Sequence, residues 1–249
     1  MKNFFTLLVL SLFASNITAQ KLGENYNPFI FGTSPDNPPY EFSPNTRIIG
    51  LDIDVINAVG KKLNKSPIIA NHMSFSNLLL QAKMGKFDAV IAAISPSETR
   101  KKHFDFSRSY FKSKIVLLVL QKSTIHSIKD LNHKILGAQS GTIYAEMVKQ
   151  YIKDNHANIT TKSLGNMLIL FEELKRGYVD AILTEEVLAK YILHKYPQFK
   201  VVIANEFPDA EYAILLPKNS PLLEKINKAI DELEIEGELD KIKTKWVKE

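Results

Sequence analysis

No cysteine occurs anywhere in the chain, which removes disulfides, thiol catalysis and acylation of a leader cysteine together. The six histidines fall at no metal-ligand spacing such as i,i+4 on one helix, so no metal or other cofactor is expected. The ten glycines form neither a dinucleotide-binding fingerprint nor a full P-loop, and no Gly-x-Ser-x-Gly elbow is present. Basic residues exceed acidic ones, 32 to 27, but no basic block stands out, and electrostatic binding of nucleic acid needs clustered charge. No second apolar stretch of membrane-spanning length follows the one at the start, and no low-complexity stretch or floppy linker interrupts the chain.

What the sequence does contain begins at that first run. Met1-Lys2-Asn3 is a positive start, Phe4 to Phe13 is an apolar stretch of about ten residues, and Ser15 to Ala19 is a small-residue exit. This reads as a secretory signal over residues 1–19, cleaved after Ala19, and the mature protein is expected to be periplasmic, soluble and not lipidated. A hydrophobic content of 45% in 249 residues supports one large core or two modest ones.

A repeat favours two. Gly85-Lys86-Phe87-Asp88-Ala89-Val90-Ile91 and Gly177-Tyr178-Val179-Asp180-Ala181-Ile182-Leu183 share a Gly-x-x-Asp-Ala-apolar-apolar pattern, each after an apolar-periodic helix. A helix stopped by glycine and followed by a short buried strand is one unit of an α/β layer. Two such units predict two lobes whose strand ends face a shared cleft. Around them, apolar spacing predicts helices from Leu51 to Leu63, Asn77 to Met84, Tyr144 to Asn155, Asn166 to Arg176 and Val187 to Lys195. A long helix is expected from Pro221, at its N1 position, to Glu236, with one more from Leu239 to Val247. The β-branched run Ile115 to Leu120 is long enough to cross between lobes.

Few residues are placed to carry chemistry. Arg100 follows the first repeat's strand, where it either offers a bidentate fork to a carboxylate or caps a short surface helix. Ser140-Gly141-Thr142 forms a comparable anion nest in the second half. Glu185 ends the second repeat's strand, as a partner for an ammonium group or as a solvated helix-start glutamate. Asp88 and Asp180 read as structural, binding nearby backbone amides.

These segments in order resemble the periplasmic amino-acid-binding proteins of ABC transporters, the polar amino acid class of family 3 solute-binding proteins. The resemblance runs from Gly32 to Trp246 and rests on Gly32-Thr33, Pro38-Pro39-Tyr40-Glu41-Phe42, Gly50-Leu51-Asp52-Ile53-Asp54, Phe104-Asp105-Phe106-Ser107, Tyr110-Phe111, Gln139-Ser140-Gly141-Thr142 and Asp240-Lys241-Ile242-x-x-Lys245-Trp246. It implies a bilobal α/β "Venus flytrap" fold. Lobe 1 would span 20–117 plus 208–249 and lobe 2 118–207, with hinges near 116–121 and 204–210. By resemblance, Arg100 and the backbone amides near Ser95, Thr142 and Ile143 would hold a ligand carboxylate. The carbonyl of Ala93, the hydroxyl of Ser95 and the carboxylate of Glu185 would hold its ammonium. Phe75 would be an aromatic shelf, and Gln139 joins the site with its motif. Four positions depart from the family's pattern. Glu185 replaces the usual aspartate and Ile143 a frequent threonine; Asn37 stands where an aromatic is common and Ser34 where basic-ligand binders often carry aspartate. Glu41 would meet a guanidinium. The implied protein is a monomeric, non-enzymatic receptor that passes an L-amino acid, basic and arginine first, to an ABC permease. A neutral glutamine-like ligand, a periplasmic cyclohexadienyl dehydratase on the same fold, and an extracytoplasmic sensor lobe are the rival readings.

Overall fold

The structure, a computed structural model, describes residues 27–72 and 74–247. The leader expected over residues 1–19 lies outside the described residues. The chain opens with β1 (Pro28–Thr33), the two-residue strands β2 (Asp36–Asn37) and β3 (Glu41–Phe42), α1 (Leu51–Lys62), β4 (Ser66–His72), α2 (Phe75–Lys83), β5 (Ala89–Val90), α3 (Glu98–Lys101) and β6 (Phe104–Ser113). It continues through β7 (Ile115–Leu120), β8 (Ile135–Gln139), α4 (Ile143–Asn155), β9 (Thr160–Leu164), α5 (Met167–Arg176), β10 (Ala181–Glu185), α6 (Glu186–Lys195) and β11 (Phe199–Ile203). It closes with β12 (Ala210–Pro217), α7 (Leu223–Ile235) and α8 (Glu238–Trp246).

Two five-stranded sheets result, one ordered β4-β1-β5-β12-β6 and the other β11-β7-β10-β8-β9. Each is parallel on one side and antiparallel on the other: β1 runs parallel to β4 and β5 while β12 is antiparallel to β5 and β6. In the second sheet β8 is parallel to β9 and β10, and β7 is antiparallel to β10 and β11. Helices cover both faces, so central strands are apolar throughout: Ile115 to Val119 are all buried.

The repeat has the same job in both sheets. Gly85 and Gly177 take left-handed φ angles of 71° and 75°, ending α2 and α5. The carboxylate of Asp88 then accepts the Ile30 amide at 2.8 Å, and Asp180 accepts the Ile135 amide at 2.8 Å. In return, the amides of Asp88 and Asp180 each donate to the carbonyls of those same partners at 2.8 Å. Each aspartate therefore clips the start of one repeat strand to its parallel neighbour.

Three boundaries differ from expectation. Ile115 to Leu120 does not bridge the lobes; it pairs along its length with β10 and β11, so the first crossover is at Lys114, ahead of the expected hinge at 116–121. The reason is its apolar character on both faces, which only a central strand buries. The return crossover lies between Ile203 and Ala210. α2 starts at Phe75 directly after Ser74, and Pro221 sits in a turn before α7, because the Leu223 amide is already tied to the Ser220 carbonyl.

Candidate functional site

The ends of β1, β5, β8 and β10 converge between the lobes, and side-chain contacts bridge them. Arg100 Nη2 donates to the Gly141 carbonyl at 2.7 Å, and Tyr40 Oη donates to Glu185 Oε2 at 2.9 Å. The hydroxyls of Tyr144 and Tyr212 meet at 2.9 Å, and Gln139 Nε2 reaches Asp36 Oδ2 at 3.3 Å. The void left between them measures about 30 Å³. That is room for about two waters. An amino acid reaches this site only when the lobes part.

Lobe 1 supplies the arginine and a carboxylate cluster. Ser97 caps the short α3, its hydroxyl accepting the Arg100 amide at 3.3 Å, and this turns the Arg100 side chain into the cleft. Arg100 Nη1 donates to the Ser95 carbonyl at 2.6 Å, and its guanidinium lies 5.6 Å from the centre of the Phe75 ring. Burial lowers the Arg100 pKa, with the field of Glu146 opposing the shift. Two of its five N–H groups are used, leaving three for an incoming anion. Opposite it, α4 begins at Ile143 with Thr142 at its N-cap position, so the first amides of the helix point at the cleft. The hydroxyl of Thr142 is turned away, donating to the Gln139 carbonyl at 2.7 Å.

The carboxylates are placed by one glycine. Gly50 has φ 141°, and a Cβ there would lie 2.0 Å from the Tyr40 carbonyl oxygen. Only glycine lets the start of α1 lie against the 39–40 backbone, where the Leu51 and Asp52 amides bond to the carbonyls of Pro39 and Tyr40. This sets Glu41 beside Asp52. Asp52 is fully used: it accepts the Ala93 amide at 2.7 Å and the Tyr110 hydroxyl at 2.8 Å. Held by that bond, Ala93 adopts a left-handed φ of 44°, a conformation that costs energy without glycine. Burial pushes the pKa of Asp52 up to about 6 despite both donors. Glu41 has zero exposure and neither of its oxygens has a hydrogen-bond partner. Its pKa is driven well above the usual carboxylate range, by burial first and then by the charges of Asp52 and Asp36. The hydroxyls of Ser95 and Thr184 are also buried without partners.

Glu185 is differently placed from the simple ammonium partner the sequence implied. Its longer side chain folds back to cap α6, accepting the amides of Val187 at 2.8 Å and Leu188 at 2.5 Å. Its Oε2 also takes the hydroxyls of Tyr40 and, at 2.5 Å, Ser113. Burial raises its pKa while these donors pull the other way. Three donors crowd Oε2; Oε1 has one.

Ten of the eleven residues singled out from sequence line this cavity: Asn37, Glu41, Phe75, Ala93, Ser95, Arg100, Gln139, Thr142, Ile143 and Glu185. Ser34 does not. It is buried one layer back and donates its hydroxyl to Asp36 Oδ1 at 3.1 Å. Asp36 is the residue sequence reasoning missed. The acid that seemed to be lacking at position 34 is supplied two residues later, and the Ser34 hydroxyl holds it. An acid in a proline-rich turn reads as a turn residue; its pairing across β2 and β3, Asp36 with Phe42 and Asn37 with Glu41, is the only local signal that it faces the cleft. Tyr144, Met167, Thr184 and Tyr212 also line the cavity and were not foreseen.

A larger groove of about 1000 Å³ opens beside Lys114, floored by Phe42, Tyr191 and Trp246. None of its lining atoms is among the buried, unpartnered polar groups of the described residues, which lie in or beside the cleft instead.

The sequence matches the model of the bacterial extracellular solute-binding proteins, family 3, over residues 29–249. The chain belongs to that family. Among relatives, it is 30% identical to the arginine-binding extracellular protein ArtP of Bacillus subtilis, over 99% of this chain and 98% of that one. It is 29% identical to the ABC transporter arginine-binding protein 1 of Escherichia coli, over 96% and 98%. Its fold superposes on an ancestral arginine-binding protein bound to arginine with a TM-score of 0.83 at 35% identity, covering 90% of this chain and all of that one. The two-lobed α/β architecture is thus the family's, and among the described residues no helix is long and apolar enough to cross a membrane.

Proposed function

We propose that this family 3 protein is an exported receptor that captures an L-amino acid with a basic side chain, arginine first, and delivers it to an ABC permease. The observation that carries the ligand class is the charge balance of the cleft. Three carboxylates, Asp36, Glu41 and Glu185, line it against one cation, Arg100. A neutral zwitterion brings no positive charge to the buried Glu41 beyond the one its own carboxylate balances; a ligand with a second cation gives that carboxyl a charged partner and offsets part of the acid excess. Arg100 and the α4 amides take the α-carboxylate, the Ala93 carbonyl, Ser95 hydroxyl and Glu185 Oε1 surround the ammonium, and Glu41 with Asp36 faces the side chain. Bonds made to both lobes at once favour the closed form over the open one. The arginine-binding relatives and structural neighbours support the same reading, as do the leader-like start and the lack of an acylable cysteine for an exported, lipid-free receptor. A thermal-shift screen of the twenty amino acids tests it. A ligand at a hundred times its Kd adds about 2.7 kcal/mol of stability. Arginine should give the largest shift, with lysine next. Glutamine matching arginine, as the ancestral protein also bound to glutamine makes a fair competitor, would move the assignment to a neutral polar ligand.

A further inference from the structure

Glu41 is the one carboxyl group of the cleft whose oxygens make no hydrogen bond of normal length and angle in the closed protein. Asp52, from α1, has the Ala93 amide and the Tyr110 hydroxyl. Asp36, from β2, has the Ser34 hydroxyl, the Gln139 side chain and the Met167 amide at the start of α5. Glu185, from lobe 2, has four donors. Glu41 has only the Asn37 amide close by, at poor hydrogen-bond geometry, is fully buried and faces the acids Asp52 and Asp36. The other groups facing it are the Asn37 amide on β2 and the Tyr110 hydroxyl on β6, with Arg100 across the cavity on α3, engaged by the carbonyls of Ser95 and Gly141. An ionised carboxylate so placed, with no counter-ion and only the Asn37 amide beside it, carries a desolvation penalty that protonation removes.

From this cluster we infer that ligand capture is a cation-for-proton exchange: Glu41 is a neutral carboxylic acid in the ligand-free closed protein, and the cationic side chain of the ligand displaces its proton to solvent. The inference rests on the proposed basic ligand. No covalent bond changes; one O–H of Glu41 dissociates, the proton goes to buffer, and the resulting carboxylate receives the N–H donors of the ligand. Neutral ligands have no charge to exchange and leave the proton in place, so the site discriminates by making the carboxylate only for ligands that neutralise it. The sign of the pH dependence follows. A carboxyl whose pKa is raised in the closed protein stabilises it below the unfolded pKa, and that contribution is lost as pH rises through the folded value. Arginine affinity runs the opposite way, rising with pH over the same interval.

Calorimetry of arginine binding to the mature protein, in buffers of different ionisation enthalpy at pH 7, reads the exchange directly. The plot of observed enthalpy against buffer ionisation enthalpy should have a slope reporting release of close to one proton. Glu41→Gln, which mimics the neutral acid in size and polarity, should bring that slope to near zero and weaken arginine at least tenfold. Asp52→Asn serves as the second variant: it removes one of the charges that raise the pKa of Glu41 and should reduce the release without abolishing it, since burial is the larger cause. Arginine bound tightly by the wild type with no proton release overturns the exchange while leaving the receptor reading intact. A release undiminished in Glu41→Gln overturns it as well, by placing the proton elsewhere. Failure of the wild type to bind any basic amino acid removes the ligand assignment and the exchange with it.

Discussion

Replacing Arg100 with alanine separates binding from folding more cleanly than any other change in the cleft. The side chain is 7% exposed, and its two hydrogen bonds go to backbone carbonyls, one in its own lobe and one across the cleft. Removing it leaves a ligand carboxylate buried without its charged partner, which costs about 2–5 kcal/mol. At about 1.4 kcal/mol per factor of ten, that is roughly thirtyfold to a few thousandfold in Kd. The fold loses much less. The Gly141 bond exists only when the lobes are closed, and the loss of the Ser95 bond is offset by no longer burying a guanidinium. The melting temperature of the ligand-free variant should therefore stay within a few degrees of wild type. Arg100→Lys keeps the charge but not the planar fork, and should remain at least tenfold weak. Titration calorimetry with arginine and a melting curve on the same sample check both halves. Arg100→Ala that binds within threefold of wild type and melts normally would refute the placement of the carboxylate.

The two aspartate clips should be stabilising without being functional. Asp180→Ala strands a half-buried Ile135 amide and should cost about 1–3 kcal/mol, while Asp88→Ala, whose Ile30 partner is open to water, should cost less; scanning calorimetry should rank them in that order, with arginine affinity unchanged in both. Gly50→Ala drives a methyl group to 2.0 Å from the Tyr40 oxygen and must displace the segment that carries Tyr40 and Glu41. A melting point lowered by more than about ten degrees, or failure to fold, is expected on the scale of a large core clash, and a wild-type melting curve would contradict the packing described here.

Much of the architecture was legible because it is periodic. The repeat around Gly85 and Gly177 announced two similar α/β units, and the structure shows why the pattern includes aspartate: each carboxylate clips one strand to its neighbour. Short motifs conveyed less. In Gly50-Leu51-Asp52-Ile53-Asp54 the glycine serves a close backbone approach and Asp52 holds Ala93. Asp54 instead faces outward to Lys245 and Trp246 of α8, accepting both at 2.7 and 2.6 Å. Three roles in five residues depend on contacts far away in sequence. Asp36 and the capped state of Glu185 were illegible for the same reason. Whether an acid in a loop faces solvent or a cleft is settled by the second lobe, here by Gln139 and the start of α5. Glu185 turns back on its own helix to accept the Val187 and Leu188 amides, a local contact that its place at a strand end does not announce.

The crossover at Lys114 has a consequence for how this molecule can be watched. A single residue separates a strand of one sheet from a strand of the other, and among the described residues the chain returns through the short segment between Ile203 and Ala210. Two short connections of this kind restrict how the halves can slide past each other and favour a hinge motion. Opening then amounts to motion along one coordinate. A single pair of labels, one on the exposed face of α2 and one on the exposed face of α5, would follow that coordinate.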